Sequence, residues 1–379
     1  MVVQTPPMGW NSWNTFGEKI DEELIKKTAD VMAESGLLDA GYDYLVIDDC
    51  WSEKKRDENG RLVPDKNKFP NGMKAVADYV HSKGLKFGMY SCNGNLTCAQ
   101  YPGSFEYEFI DAQTFAEWGV DFLKYDNCFK PHHQDGHLLY KRMGLALANC
   151  GRDILFSACN WGVDNSKDWI KSTGAHMWRS TGDINDSWAS VKDIAYQQKS
   201  FITSNGQGCF NDMDMLIVGM NGKGNVGVAG CNYDEYKTHF SLWAMFNSPL
   251  MVGCDIREMD DAAKEILLNK EVIAINQDKA QRQPFVCGSF WTNEDVWCYA
   301  KFLEGGDIAL GIFNLTDGYA DPYISLDTLG INRSTGKALE IRDLWAHKDL
   351  GTFTDIFKCE PLTKGHDCHM FRARIVDAE

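Results

Sequence analysis

The sequence has no surplus of positive charge, no long apolar run and no glycine-rich phosphate loop, and each gap removes a class of function. Lysine and arginine number 38 against 54 aspartates and glutamates, giving a formal net charge of −16 and an isoelectric point near 5.0. Nucleic acids and anionic membranes attract basic surfaces, so neither is an expected partner, and a neutral substrate is. Nothing near the N-terminus pairs a charged segment with a following apolar one, and no apolar run approaches the ~20 residues that span a bilayer. Histidine is scarce. There are nine, none forms a His-x-His pair at a predicted strand end, and the adjacent His132 and His133 fall in a predicted loop, so no metal site is expected. No Gly-x-Gly-x-x-Gly follows the first predicted strand, which argues against a Rossmann-type sheet and a dinucleotide cofactor. Internal repeats and low-complexity segments are absent as well.

Cysteine is not scarce, but its thirteen copies are an odd number. They are spread through core-like segments such as Cys159-Asn160-Trp161 and Gly253-Cys254, which reads as buried thiols and a cytoplasmic location. Secretion after removal of a signal peptide is the alternative.

With 379 residues and 44% hydrophobic content the chain can bury a large core. Apolar patterning alternates strand and helix eight times. The predicted strands are Met8 to Asn11, Tyr42 to Ile47, Leu85 to Tyr90, Val120 to Asp126, Ile154 to Ala158, His176 to Arg179, Cys209 to Met215 and Leu250 to Gly253. Between and after them come amphipathic helices, the first N-capped by Asp21 and another predicted over Asn165 to Thr173. This is the order and length of a (β/α)₈ barrel over residues 1–284. Past Gln283-Pro284-Phe285 the texture becomes antiparallel, with strands around Val296 to Ala300, Ile308 to Phe313 and Phe371 to Ile375, and a small β-sandwich is expected over 285–379.

In a barrel, chemistry gathers at the C-terminal ends of the strands. There the sequence places Trp10, Asp48 and Asp49, Tyr90, Lys124 and Asp126, Trp161, Arg179 with Asp183, and Asp212 with Asp214. Indoles stack on the apolar C–H faces of sugars, and carboxylates accept from vicinal hydroxyls, so the set suits a pyranose. Two carboxyl groups on different loops are also what glycoside hydrolysis uses. Lys124 beside Asp126 favours the ionised carboxylate of a nucleophile or base; a structural ion pair closing the strand is the plain alternative. Asp48 and Asp49 would equally serve to cap a turn. Trp13 reads as core filler, and of the pair near 213 Asp214 is favoured for the site, with Asp212 left to a structural hydrogen bond.

The motifs Pro7-Met8-Gly9-Trp10-Asn11-Ser12-Trp13, Ile47-Asp48-Asp49-Cys50-Trp51, Thr97 to Ser104, Trp118 to Cys128, Trp178-Arg179 with Asp183, Asn211 to Met215 and Ala274 to Asp278 resemble, in order, the α-galactosidase and α-N-acetylgalactosaminidase family, glycoside hydrolase family 27. The resemblance implies Asp126 as nucleophile and Asp183 as general acid/base. It also implies galactose contacts at Trp10, Asp48, Asp49, Tyr90, Lys124, Arg179 and Asp214, and a disulfide between Cys98 and Cys128. The expected activity is retaining, exo-acting hydrolysis of α-galactosides in oligosaccharides or glycoconjugates. α-N-acetylgalactosaminidase or β-L-arabinopyranosidase activity, and a galactose-binding protein without catalysis, are the alternatives; a homo-oligomer is allowed for. Departures from the family pattern occur at Cys50, which has no cysteine partner upstream, at Cys92, where Asp is frequent, and at Asn160, where galactosidases usually carry Glu. Asn160 with Val163 is read as the pair that meets the sugar's 2-substituent, preferring a hydroxyl over an acetamide.

Overall fold

The computed structural model describes residues 3–288 and 293–378. By their contacts they fall into two units, residues 3–230 with 249–264 and residues 231–248 with 265–288 and 293–378.

The first unit carries eight parallel strands: β1 (Met8–Asn11), β2 (Tyr44–Val46), β3 (Lys86–Cys92), β4 (Phe122–Asp126), β5 (Leu155–Cys159), β6 (Met177–Arg179), β7 (Phe210–Asp212) and β8 (Leu250–Val252). They hydrogen-bond in the order β7-β6-β5-β4-β3-β2-β1-β8. The ring closes beyond the end of β7. Leu216 bridges Val252 in parallel, its N–H donating to the Met251 carbonyl (2.7 Å) and its carbonyl accepting from Gly253 N (2.9 Å). Helices Glu22–Glu34, Gly72–Ser82, Glu108–Trp118, Gly136–Ala148 and Trp188–Gln198 make the return crossings. The first is capped as predicted, Asp21 accepting from Leu24 N. Among the described residues no helix is long and apolar enough to cross a membrane.

One predicted helix is not there. Residues 165–173 form two short 3₁₀ turns, Ser166–Asp168 and Ile170–Thr173, broken at Trp169. Its indole N–H is drawn back to the Asp164 carbonyl (2.8 Å), so the segment folds onto its own loop instead of extending.

The second unit contains the helix Tyr233–Met245, with a capping box at Asn232 and Glu235, and a six-stranded antiparallel sheet. Its strands run in the order Lys348–Phe353, Lys337–Asp343, Cys368–Asp377, Ile308–Asn314, Val296–Phe302, Phe285–Val286. A short ladder of Ile324–Ser325 with Ile356–Phe357 accompanies it. Leu310, Ile312, Leu339, Ile341 and Phe371 form the buried layer of this β-sandwich.

Candidate active site

Alternation with a period of two stacks the barrel interior in layers. The lowest layer is apolar, with Tyr44, Val46, Phe122, Leu155, Met177, Phe210 and Met251 packed together. Gly88 sits beside it because a Cβ there would lie 2.6 Å from Val46 Cγ2. Two residues further along the same strands the layer turns polar: Phe122 is followed by Lys124, Leu155 by Ser157, Met177 by Arg179 and Phe210 by Asp212. With Asn11 and Cys159 these side chains surround a void of about 30 Å³, about the room one water takes. A further step brings Asp126, and beyond β7 Asp214, to an open cavity of about 230 Å³. That is smaller than the roughly 300–1,000 Å³ of pockets for drug-sized ligands, and suits a single sugar ring. A larger depression of about 730 Å³ lies among Gly144, Arg152, Ile154 and His176. It is at the N-terminal ends of β5 and β6 and has Asp153 as its one carboxylate, so it lacks the paired groups that chemistry on a sugar needs.

Each carboxylate of the cavity is held in place by donors. Asp126, 5% exposed, accepts from Asn127 N (2.9 Å) and from the Tyr90 hydroxyl (3.1 Å). Asp48 accepts from Lys124 Nζ (2.7 Å), Asn11 Nδ2 (2.8 Å) and Asp49 N (2.9 Å). Asp49 binds Cys50 N, Thr97 Oγ1 and Ala99 N, tying the loop after β2 to the loop after β3. Asp214 stands at φ +82°, a left-handed backbone fixed by its N–H to Asp212 Oδ1 (2.9 Å), by Ile184 N on its Oδ2 (2.7 Å) and by Arg179 (2.9 Å). Arg179 forks between Asp214 and Asp183 (2.8 Å). Asp183 differs from the rest: its side chain is 77% exposed at the mouth.

The charges set two carboxyls in opposite directions. Burial pushes Asp126 up to about 6, although the Lys124 charge, the Asn127 N–H and Arg179 all pull it down. Lys124 favours the ionised form, as its place beside Asp126 suggests, but desolvation in the dry cavity outweighs it and leaves the carboxyl above its ordinary range. Lys124 itself is held protonated well above its usual range, since Asp48, Cys159 and Asp126 outweigh its burial. For Asp183 the balance is the reverse. The protein around the cavity mouth removes some of the water that would favour its charge, but the charge and hydrogen bond of Arg179 win and hold the carboxyl below the usual range.

Of the sequence-predicted residues, Asp48, Asp49, Tyr90, Cys98, Lys124, Asp126, Cys128, Trp161, Arg179, Asp183 and Asp214 line this cavity. Trp10 and Asn160 do not. In β1 it is Asn11 that faces the barrel interior, so its neighbour Trp10 must face outward; it is 1% exposed, packs at a tilt beside Phe16 and donates to the Cys254 carbonyl (2.9 Å). Of the two indoles at the β1 end, the one on the cavity is Trp13, expected from the sequence to fill core. Asn160 is 1% exposed, its Nδ2 donating to the Val163 carbonyl (3.0 Å) and its Oδ1 accepting from Gly162 N (3.3 Å), so both ends of the amide close the loop on itself. Asn14, Ile184, Met215 and Val226 also line the cavity; Met215 closes the Asn211 to Met215 motif, while the other three carried no recognisable signal. Val226 arrives on a glycine-rich loop whose N–H groups dock on the Asn14 and Thr15 carbonyls (3.0 and 3.1 Å), with the buried Asp186 accepting from Gly222 N (2.6 Å).

Cys98 and Cys128 are joined, as the resemblance implies, and the bridge ties the loop after β3 to the end of β4 beside Asp126. The eleven other cysteines, Cys50 and Cys92 among them, stand outside that disulfide. Thiol titration of the unfolded, non-reduced protein is expected to count eleven sulfhydryls; a count of thirteen would rule out the bridge.

Residues 5–278 match the family described as "Alpha galactosidase A", and residues 293–373 match the "Alpha galactosidase C-terminal beta sandwich domain". The α-galactosidase of Cyamopsis tetragonoloba is 45% identical over 370 residues, which is 97% of this chain and 86% of that protein. Among solved structures, α-galactosidase I from Mortierella vinacea superimposes with a TM-score of 0.90 at 34% identity, covering 99% of this chain and 98% of that one. The α-galactosidase of Saccharomyces cerevisiae with raffinose does so at 0.88 and 30%, covering 98% of each chain. The likeness runs through both units, and the chain belongs to the α-galactosidase family, glycoside hydrolase family 27.

Proposed function

We propose that this α-galactosidase, a glycoside hydrolase that releases terminal α-galactosyl residues, works by double displacement with Asp126 as nucleophile and Asp183 as general acid/base. The observation that carries the reading is that these two carboxyls share one ring-sized cavity, Asp126 sunk among hydrogen-bond donors and Asp183 exposed at the mouth. In the first step a carboxylate oxygen of Asp126 bonds to the anomeric carbon as the bond to the aglycone oxygen breaks, and Asp183 gives that oxygen its proton. In the second, Asp183 takes a proton from water, the water oxygen bonds to the same carbon, and Asp126 departs as carboxylate. Two inversions leave the anomer unchanged, for which the carboxyl groups are to be ~5–5.5 Å apart in the complex.

The surrounding side chains fit the task. Trp13 and Trp161 offer apolar faces to the ring, and Asp48, Asp49, Lys124, Arg179 and Asp214 offer acceptors and donors to its hydroxyls. Asn160 is closed on its own loop, and the predominance of charged and hydrogen-bonding groups in the cavity supports galactose over its N-acetyl analogue. Both carboxylates being present favours catalysis over mere galactose binding. Raffinose-type oligosaccharides are the proposed substrates, with residues 1–284 as the catalytic part and 285–379 as the β domain. The Cys98–Cys128 bridge supports an oxidising compartment, the secreted alternative, over a cytoplasmic one.

The test is stereochemical. Proton NMR of p-nitrophenyl α-galactoside hydrolysis, recorded before mutarotation, is expected to show α-galactose first. β-Galactose as the first product would overturn the double displacement.

A further inference from the structure

Phe129 follows the cavity residue Cys128 and combines an unusual backbone with an exposed ring. Its φ is +50° and the residue is 51% exposed. A bulky aromatic at positive φ is strained, and an exposed phenyl ring recovers little of that cost from packing. The backbone is nevertheless firmly set. The Phe129 carbonyl accepts from Asn95 N (3.4 Å), and Gly94 lies so close that a Cβ there would be 2.5 Å from the Phe129 carbonyl carbon. In the loop after the adjacent strand β5 a second aromatic also has positive φ: Trp161, at φ +61°, lines the cavity. The two loops are fastened together by Lys130 and Asp164 (2.6 Å), and Val163 beside them is 41% exposed.

We propose that Phe129 is a specificity-determining residue, an apolar platform just outside the galactose cavity on which the C–H face of the next hexose of an oligosaccharide rests. The ligand is an uncharged sugar because Lys130, next to Phe129 in the chain, is already neutralised by Asp164. A strained, exposed ring at the end of the strand that carries Asp126 fits a role in ligand contact, since unusual backbone is retained where function over-determines it. The proposal rests on the reading that an α-galactoside fills the cavity.

The experiment compares raffinose, which has a sugar next to galactose, with α-galactosyl fluoride, which has none. For Phe129→Asn, whose new residue tolerates positive φ, the ratio of kcat/KM on raffinose to kcat/KM on the fluoride is expected to fall roughly three- to tenfold, the worth of one aromatic contact. The melting temperature is expected to hold or rise, as the strain is relieved. Phe129→Tyr, which keeps the ring, is expected to restore the ratio. An unchanged ratio in Phe129→Asn overturns the platform, as does a ratio that falls equally in Phe129→Tyr. Failure of the wild-type protein to turn over the fluoride would instead strike at the cavity reading itself.

Discussion

At pH 7, Asp126→Asn is expected to hydrolyse p-nitrophenyl α-galactoside at least about a thousandfold more slowly than the wild-type protein, and to melt at a higher temperature. The loss follows from chemistry, because an amide oxygen cannot form the glycosyl ester through which double displacement runs. The gain follows from burial. Asp126 has a folded pKa of about 6, above the ordinary carboxylate value, so the fold prefers its neutral form. That preference favours the native state below about pH 4, and is lost as pH rises through 6, where the buried group must ionise. Asparagine is neutral throughout, so the variant's advantage is expected to reach about 1–3 kcal/mol at pH 7 and to vanish near pH 4. Denaturant melts at both pH values read it. Turnover within about tenfold of wild type would sink the nucleophile assignment. Azide offers a second check: in Asp126→Gly it can enter the vacated space and attack from the opposite face, giving β-galactosyl azide.

Much of the barrel was legible because strand periodicity is local. Phe122, Lys124 and Asp126 occupy alternate positions, so the sequence alone shows two charges on the same face as a buried phenylalanine, and the only layer that tolerates them is the polar one above the apolar floor. The same regularity misled where a strand's phase was unclear. Met8–Asn11 is four residues long, and apolar character at both Gly9 and Trp10 does not say which faces inward; the Tyr44 backbone, 2.3 Å from where a Gly9 Cβ would stand, is what fixes it. Trp10 was thus given to the site and Trp13 to the core, the reverse of their places. Residues after the strand ends have no periodicity to read. Asp183 and Asp186 are three apart in one irregular loop, yet Asp183 is at the mouth and Asp186 is buried, holding the glycine-rich loop. Family likeness, not spacing, separated them. Lys301 shows the same limit in the second unit: a lysine in a sheet strand reads as solvent-facing, but it is 1% exposed, donates to Ala244 O, Asn247 Oδ1 and Ile275 O, and burial lowers its pKa to about 7.

Asp183→Ala is expected to affect substrates according to their leaving groups. On raffinose the departing sugar oxygen needs a proton, and kcat is expected to fall roughly a hundred- to ten-thousandfold. On α-galactosyl fluoride, where fluoride leaves as an anion, the first step should be far less impaired. The pH dependence separates this role from a structural one. In the unliganded wild-type protein Arg179 holds Asp183 below the usual range and burial holds Asp126 at about 6, so the pair sheds its first proton at low pH and its last near 6. The productive form has one proton, on Asp183, and is a minor arrangement of the singly protonated pair. Its population rises and falls with that pair. Wild-type kcat/KM should therefore decline as pH rises through about 6. In Asp183→Ala no acid remains to be lost, and what matters on the fluoride is whether Asp126 is ionised, so kcat/KM should rise over the same interval. Added azide should then intercept the glycosyl-enzyme and give α-galactosyl azide, the anomer opposite to that from Asp126→Gly. A variant whose profile falls above pH 6 as the wild type's does, or that loses the fluoride and raffinose activities equally, would show that Asp183 is not the group whose proton reaches the leaving oxygen.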